Sequence, residues 1–216
     1  MSPIIIASIL GSLISLDITL LNNIMISRPI VAGPVIGYFL GDMKTGIEIG
    51  VLFEMLWSDV INVGASVPIN LTMLTALVLG SKAMLPHHGN TLTMFIIILA
   101  IPIVYICRQI DIIMRSINSK VIRLADKHIE DDRLGYFYFS MLYSLGMFVV
   151  VNYILLAIFI PVISKLSKTL FFYLSLEIIY TLKIAYTLLP ILGFAVLFNN
   201  FFQKSFKSML HHTDKA

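Results

Sequence analysis

The chain has 216 residues, enough for one ordinary domain or two very small ones. Hydrophobic residues make up 58% and charged residues 12%, against roughly 45–50% and 25% in soluble domains, and the mean hydropathy is +0.94. That balance excludes a water-facing globular surface and an unfolded chain, and the lone Cys107 excludes a disulfide scaffold. What remains is an all-α integral membrane protein.

The net charge of +3 is not a nucleic-acid footprint. Arg108, Arg115, Lys120, Arg123, Lys127 and Arg133 share one stretch with Asp111, Asp126, Glu130, Asp131 and Asp132, which nearly neutralise them. Nucleic-acid binding calls for a one-sided basic patch. Basic residues between apolar segments instead mark the cytoplasmic side.

From the N-terminus, Ile4–Leu21 approaches the length of a plain spanning helix, about 20 residues. No Lys or Arg precedes it, no small-x-small cleavage site follows, and Asp17 lies inside it, so it is expected to be retained in the protein. From Arg28 to Gly80 the texture changes. Gly33-Pro34, Gly37 and Gly41-Asp42 punctuate the first piece; Glu48, Gly50 and Glu54 lie in a second, from Gly46 to Trp57. A third, Val60–Gly80, holds Asn62, Gly64, Pro68, Asn70 and Thr72. Backbone in hydrocarbon must satisfy every N–H and C=O, so broken or re-entrant helices are expected here, lining a protected cavity.

Beyond the His87-His88 turn, Thr91–Cys107 is a compact apolar run containing Pro102. Ile110, Ile113, Met114, Ile117, Val121 and Leu124 recur at three- and four-residue steps, so 108–133 predicts an amphipathic connector that extends the preceding helix or lies on the membrane face. Tyr136–Ile163 and Ile184–Phe202 are further spans, with Leu170–Lys183 expected at the far interface or as a partial hairpin. The tail 203–216 is polar and basic. The whole of 1–216 reads as a single membrane domain.

No catalytic, metal or cofactor site is expected. Cys107 is alone, His87 and His88 are adjacent where zinc ligands need helical spacing, and no Gly-rich loop precedes a Lys-Ser/Thr pair. The intramembrane polar residues carry more weight. A carboxylate in a bilayer costs a few kcal/mol at least, which makes Glu54 the leading candidate. Asn62 and Asn70 follow at eight-residue steps, which drift by about 80° each on an unbroken helix. A break at Gly64 and Pro68 would let them converge with Glu54 on one ligand. Carboxylates and amides together accept from and donate to hydroxyls, the pattern a sugar requires; Trp57, the one tryptophan, can stack on a sugar face or anchor at the interface.

Arg28-Pro29-Ile30-Val31, the run Gly37-Tyr38-Phe39-Leu40-Gly41-Asp42-Met43-Lys44-Thr45-Gly46, Gly50, Glu54-Met55 and Asn62-Val63-Gly64-Ala65 follow one another in an ordered combination. With Ala100-Ile101-Pro102, Gln109, Arg115 and Ala125-Asp126-Lys127, that combination resembles the IIC membrane subunit of the mannose-family (mannose/fructose/sorbose) sugar phosphotransferase system. The resemblance implies a sugar permease component, itself without a phosphorylated residue. It implies an obligate IID membrane subunit, trimers of IIC–IID units in the bacterial inner membrane, and cytoplasmic IIB and IIA proteins delivering phosphate from phosphoenolpyruvate. It also implies a sugar site at Glu54, Asn62, Gly64 and Ala65, to which the residue chemistry adds Asn70 and Trp57. Asn70 stands where the family usually has Asp, and against the family the chain ends roughly one or two spans early, at about 20 residues a span. A cation-coupled solute carrier, or a non-transporting membrane receptor or scaffold, is the alternative the residues leave open.

Overall fold

The computed structural model describes residues 2–18, 24–58, 69–85, 89–129 and 134–213, with the side chains of 18, 122, 124–129, 134–138 and 203–213 outside that description. Among the described residues the structure is helical throughout: α1 (Pro3–Ser15) with a 3-10 turn (Leu16–Ile18), α2 (Pro29–Leu40), α3 (Met43–Leu56), α4 (Leu71–Ala83), α5 (Asn90–Ile129), α6 (Leu134–Phe172) and α7 (Leu176–Thr213).

Two populations of helix result. Asn90–Val121, Phe139–Phe172 and Leu176–Phe202 are long and apolar enough to cross a membrane. The first four helices have 13, 12, 14 and 13 residues. At 1.5 Å per residue each is about 18–21 Å long, short of a roughly 30 Å hydrocarbon core. The expected full span over Ile4–Leu21 is therefore corrected: α1 stops at Ser15 because the chain turns to bury Asp17, which is 1% exposed.

The interruptions expected between Arg28 and Gly80 fall between helices rather than at every glycine. α2 runs through Gly33-Pro34 and Gly37, and α3 through Gly50. Pro29 opens α2, where its missing N–H costs nothing. Gly41 ends it at φ 82, a left-handed cap, and Asp42 then N-caps α3 by accepting from the Thr45 N–H at 3.1 Å. The glycines serve packing. A Cβ on Gly37 would lie 2.8 Å from Gly46 Cα, one on Gly33 would meet the Gly46 carbonyl, and one on Gly50 would meet the Pro29 carbonyl. The two helices form a hairpin with backbone against backbone, the small-residue contact typical of membrane helices.

α4 is the centre of the molecule. Every residue from Thr72 to Ser81 is buried, as fits a helix surrounded on all sides. α1 wedges against it through a face of small residues, Ala7, Ser8, Gly11, Ser12 and Ser15; a Cβ on Gly11 would lie 2.7 Å from Ala76 Cβ and 2.8 Å from Leu156 Cδ1. The core continues through Phe53, Met73, Leu74, Leu77, Ile96, Leu156, Ile160 and Ile163.

The connector continues α5 without a break, past Pro102 and out to Ile129. Within Leu170–Lys183, Tyr173–Ser175 turns the chain from α6 into α7, the hairpin alternative. α6 packs on α1, α4 and α5, and α7 on α3 and α5. Much of α7 presents large apolar side chains outward, Tyr180, Ile191, Phe194, Phe198 and Phe201 among them.

Candidate functional site

Four helix ends meet through polar contacts. Ser15, the last residue of α1, accepts from Asn70 Nδ2 at 3.1 Å, and Asn70 caps α4 by accepting from the Met73 N–H at 3.1 Å. Thr72, in the first turn of α4, donates to the Ser27 carbonyl just before α2. The next residue, Arg28, precedes Pro29 and donates from Nη1 to Glu54 Oε1 at 3.2 Å, in the last turn of α3. The starts of α2 and α4 are thereby tied to the ends of α1 and α3. An arginine beside the C-terminus of α3 also suits the negative end of that helix.

A buried carboxylate ties down the approach to α2. Asp17 accepts from the Ile24 N–H at 2.9 Å and from both the N–H and the hydroxyl of Ser27 at 3.0 Å. Three donors, two of them backbone N–H groups that no helix could satisfy, are met together with both carboxylate oxygens in this way.

Glu54 is only part-covered, its side chain 24% exposed and that of Arg28 31%. Its Oε1 is paired; its buried Oε2 has no hydrogen-bond partner among the described residues. Trp57 caps the end of α3 and packs edge-on against Phe53, with centroids 5.8 Å apart. Asn70 is 7% exposed and occupied by its cap and by Ser15. Glu54 and Asn70 thus make separate polar contacts, related through the chain by the bond from Thr72 to the Ser27 carbonyl next to Arg28. Asn62, Gly64 and Ala65 lie outside the described residues, as do Pro68 and the His87-His88 pair.

The residue missed from sequence is Arg28. A signal existed: Arg28, Lys44 and Lys82 are the only basic residues before Arg108, and a carboxylate in an apolar helix needs a cation. Lys82 serves the opposite end of the hairpin. It donates to Thr45 Oγ1 at 2.7 Å and lies 3.8 Å from Asp42 Oδ2, beside a cavity of about 290 Å³ lined by Gly37, Gly41, Leu79 and Ala83. α7 is pinned to α3 by Tyr186, donating to Glu48 Oε2 at 3.4 Å, and by Asn200, donating to Ser58 Oγ at 3.2 Å.

Comparison with known proteins agrees with this architecture. A solved structure described as a membrane protein superposes with a TM-score of 0.73 at 24% identity, covering 96% of this chain and 86% of the other, which establishes a shared fold. The mannose-specific EIIC component of the phosphotransferase system (PTS) of Escherichia coli K12 is 29% identical over 143 residues, 65% of this chain and 52% of that protein. Its counterpart in Shigella flexneri matches to the same extent. The match therefore spans about half the length of these relatives. The family described as the PTS system sorbose-specific IIC component matches residues 1–211. Nearly the whole chain is covered by that match, three of the helices are long and apolar enough to cross a bilayer, and this integral membrane protein belongs to the sorbose-specific IIC component family of the phosphotransferase system.

Proposed function

We propose that the chain is the membrane permease subunit of a phosphoenolpyruvate-dependent sugar phosphotransferase system, translocating a hexose-type sugar whose phosphorylation by a IIB partner accompanies entry. The observation that carries this reading is the family match across residues 1–211. Within the chain, Glu54 supports placing the sugar at the meeting of the four helix ends. One oxygen is held by Arg28, and the other is buried with no described donor, so a ligand hydroxyl would complete it. Trp57 caps the end of α3 and Asn70 the start of α4, and Asn62, Gly64 and Ala65 fall between those two helices in the sequence. In this proposal a IID membrane subunit completes the translocation unit, assembled as a trimer of IIC–IID units, and IIA recharges IIB.

The test is sugar uptake in cells carrying the IIA, IIB and IID partners. Glu54→Gln, which keeps the shape and removes the charge, is expected to abolish phosphoenolpyruvate-dependent uptake while the protein still inserts in the membrane. Normal uptake by that variant would remove Glu54 from the site. Uptake by vesicles lacking phosphoenolpyruvate would overturn the coupling itself.

A further inference from the structure

A second polar cavity lies between α5 and α6, away from the four helix ends. Its volume is about 190 Å³, and Asp111, Met114, Arg115, Asn118, Ser144 and Phe148 line it, with Leu145 beside them. The α5 residues fall at positions i, i+3, i+4 and i+7, one stripe of the helix; Ser144 and Phe148 are one turn apart on α6. Counted from Asn90, about 20 residues cross a bilayer core. Asp111 therefore sits near the interface, where the amphipathic part of α5 begins.

Three side-chain oxygens at this cavity are buried without a hydrogen-bond partner among the described residues: Asp111 Oδ1, Asn118 Oδ1 and Ser144 Oγ. Asp111 itself is 7% exposed. Buried polar atoms are ordinarily paired, and an unpaired one calls for an explanation. Here three are gathered around a single space, and the space is built rather than incidental.

The chemistry of the lining selects the occupant. A carboxylate and an amide oxygen accept hydrogen bonds and a hydroxyl can do either, so the ligand must bring several donors. Arg115 contributes a positive charge that offsets Asp111 and disfavours a metal or ammonium ion. It also offers donors that a purely donating ligand would leave unused. The ring of Phe148 with Met114 and Leu145 supplies an apolar wall. At about 190 Å³ the cavity is below the roughly 300 Å³ where sites for drug-sized ligands begin, so one small molecule fills it. We infer that the α5–α6 cavity is a binding site for a small neutral polyhydroxyl molecule, with Asp111, Asn118 and Ser144 accepting hydrogen bonds from its hydroxyls and Arg115 donating to its oxygens. This site is separate from the one at Glu54 and does not rest on it.

Equilibrium dialysis of the purified full chain against radiolabelled D-mannose and D-sorbitol tests the inference. In a Glu54→Gln background, saturable binding of at least one probe is expected to persist. Ser144→Leu, which fills the cavity, and Asp111→Ala, which removes its acceptor, should each weaken that binding at least tenfold with an unchanged unfolding temperature. If Glu54→Gln does not yield folded protein, the natural sequence serves, and Ser144→Leu should remove one bound equivalent. The inference is overturned if neither probe binds saturably, so that the cavity holds water only, or if both cavity variants bind as before. It is equally overturned if sodium or ammonium chloride raises the unfolding temperature through Asp111 while the polyols do not. Lost uptake in Glu54→Gln with retained dialysis binding would separate this site from the transport site.

Discussion

Arg28 and Glu54, 26 positions apart in sequence, close the open end of the α2–α3 hairpin with a 3.2 Å ion pair. The other end is closed by the Gly41–Asp42 turn. Both partners keep contact with the surroundings, so the attraction is screened, and a coupling of about 1 kcal/mol, the upper range for exposed pairs, is expected. A double-mutant cycle of Arg28→Ala and Glu54→Gln, read by unfolding in detergent, measures it. If the two changes add without coupling, the pair holds nothing together.

The glycines divide into two classes with opposite predicted behaviour. Gly33→Ala and Gly46→Ala force a methyl into the facing backbone, and each should cost several kcal/mol or prevent folding, beyond the usual 1–3 kcal/mol of an overpacked core. Gly146 lies inside α6 with nothing near its added Cβ. Gly146→Ala should therefore stabilise by about 0.5–1 kcal/mol through helix propensity. Thermal unfolding of the three variants in detergent is the measurement.

Asn70 should contribute to stability chiefly as a cap. Asn70→Ala leaves the Met73 N–H without its acceptor and is expected to lose about 1–2 kcal/mol. Asn70→Asp retains a carboxylate oxygen for the same N–H, and the Ser15 hydroxyl can turn to donate to it. Its stability should lie between those of the parent and Asn70→Ala, the retained cap offsetting part of the cost of a buried charge.

Asp17→Ala strands two backbone N–H groups and one hydroxyl in a buried place. A loss of about 3 kcal/mol or more follows from the cost of unsatisfied buried donors. Proteolysis of the segment entering α2 should accelerate in parallel. An unchanged unfolding temperature would show that these donors reach water.

Cys107 offers a test of packing alone. It is 1% exposed among core side chains, so the native protein should react with a water-soluble maleimide far more slowly than the detergent-denatured chain, by about 100-fold or more if reaction requires opening costing at least 2.7 kcal/mol. Rapid labelling of the native form would place this face of α5 against water.

Much of this arrangement was written locally. The 3.6-residue period after Ile110 carried α5 beyond the apolar run, and Gly41-Asp42 marked a boundary at which the structure ends α2 and caps α3. Glu54 stood out because a charge in an apolar helix has a price that only a partner can offset. The partner itself was not legible, since pairing Arg28 with Glu54 depends on how two helices align. The same is true of Asn70, whose cap is local but whose bond to Ser15 joins residues 55 positions apart. Gly33 looked like punctuation, and Gly46 like the start of a new piece, because small residues break helices in water. In a membrane helix they let two backbones touch, and only the placement of both helices distinguishes the two roles.

That placement decides what kind of motion the α2–α3 pair can make. With main chain resting on main chain, no side chains intervene that could change rotamer and let one helix glide along the other. The pair behaves as a single stiff piece, and any stroke it makes must be taken up outside it, at its seams with α4 and α7.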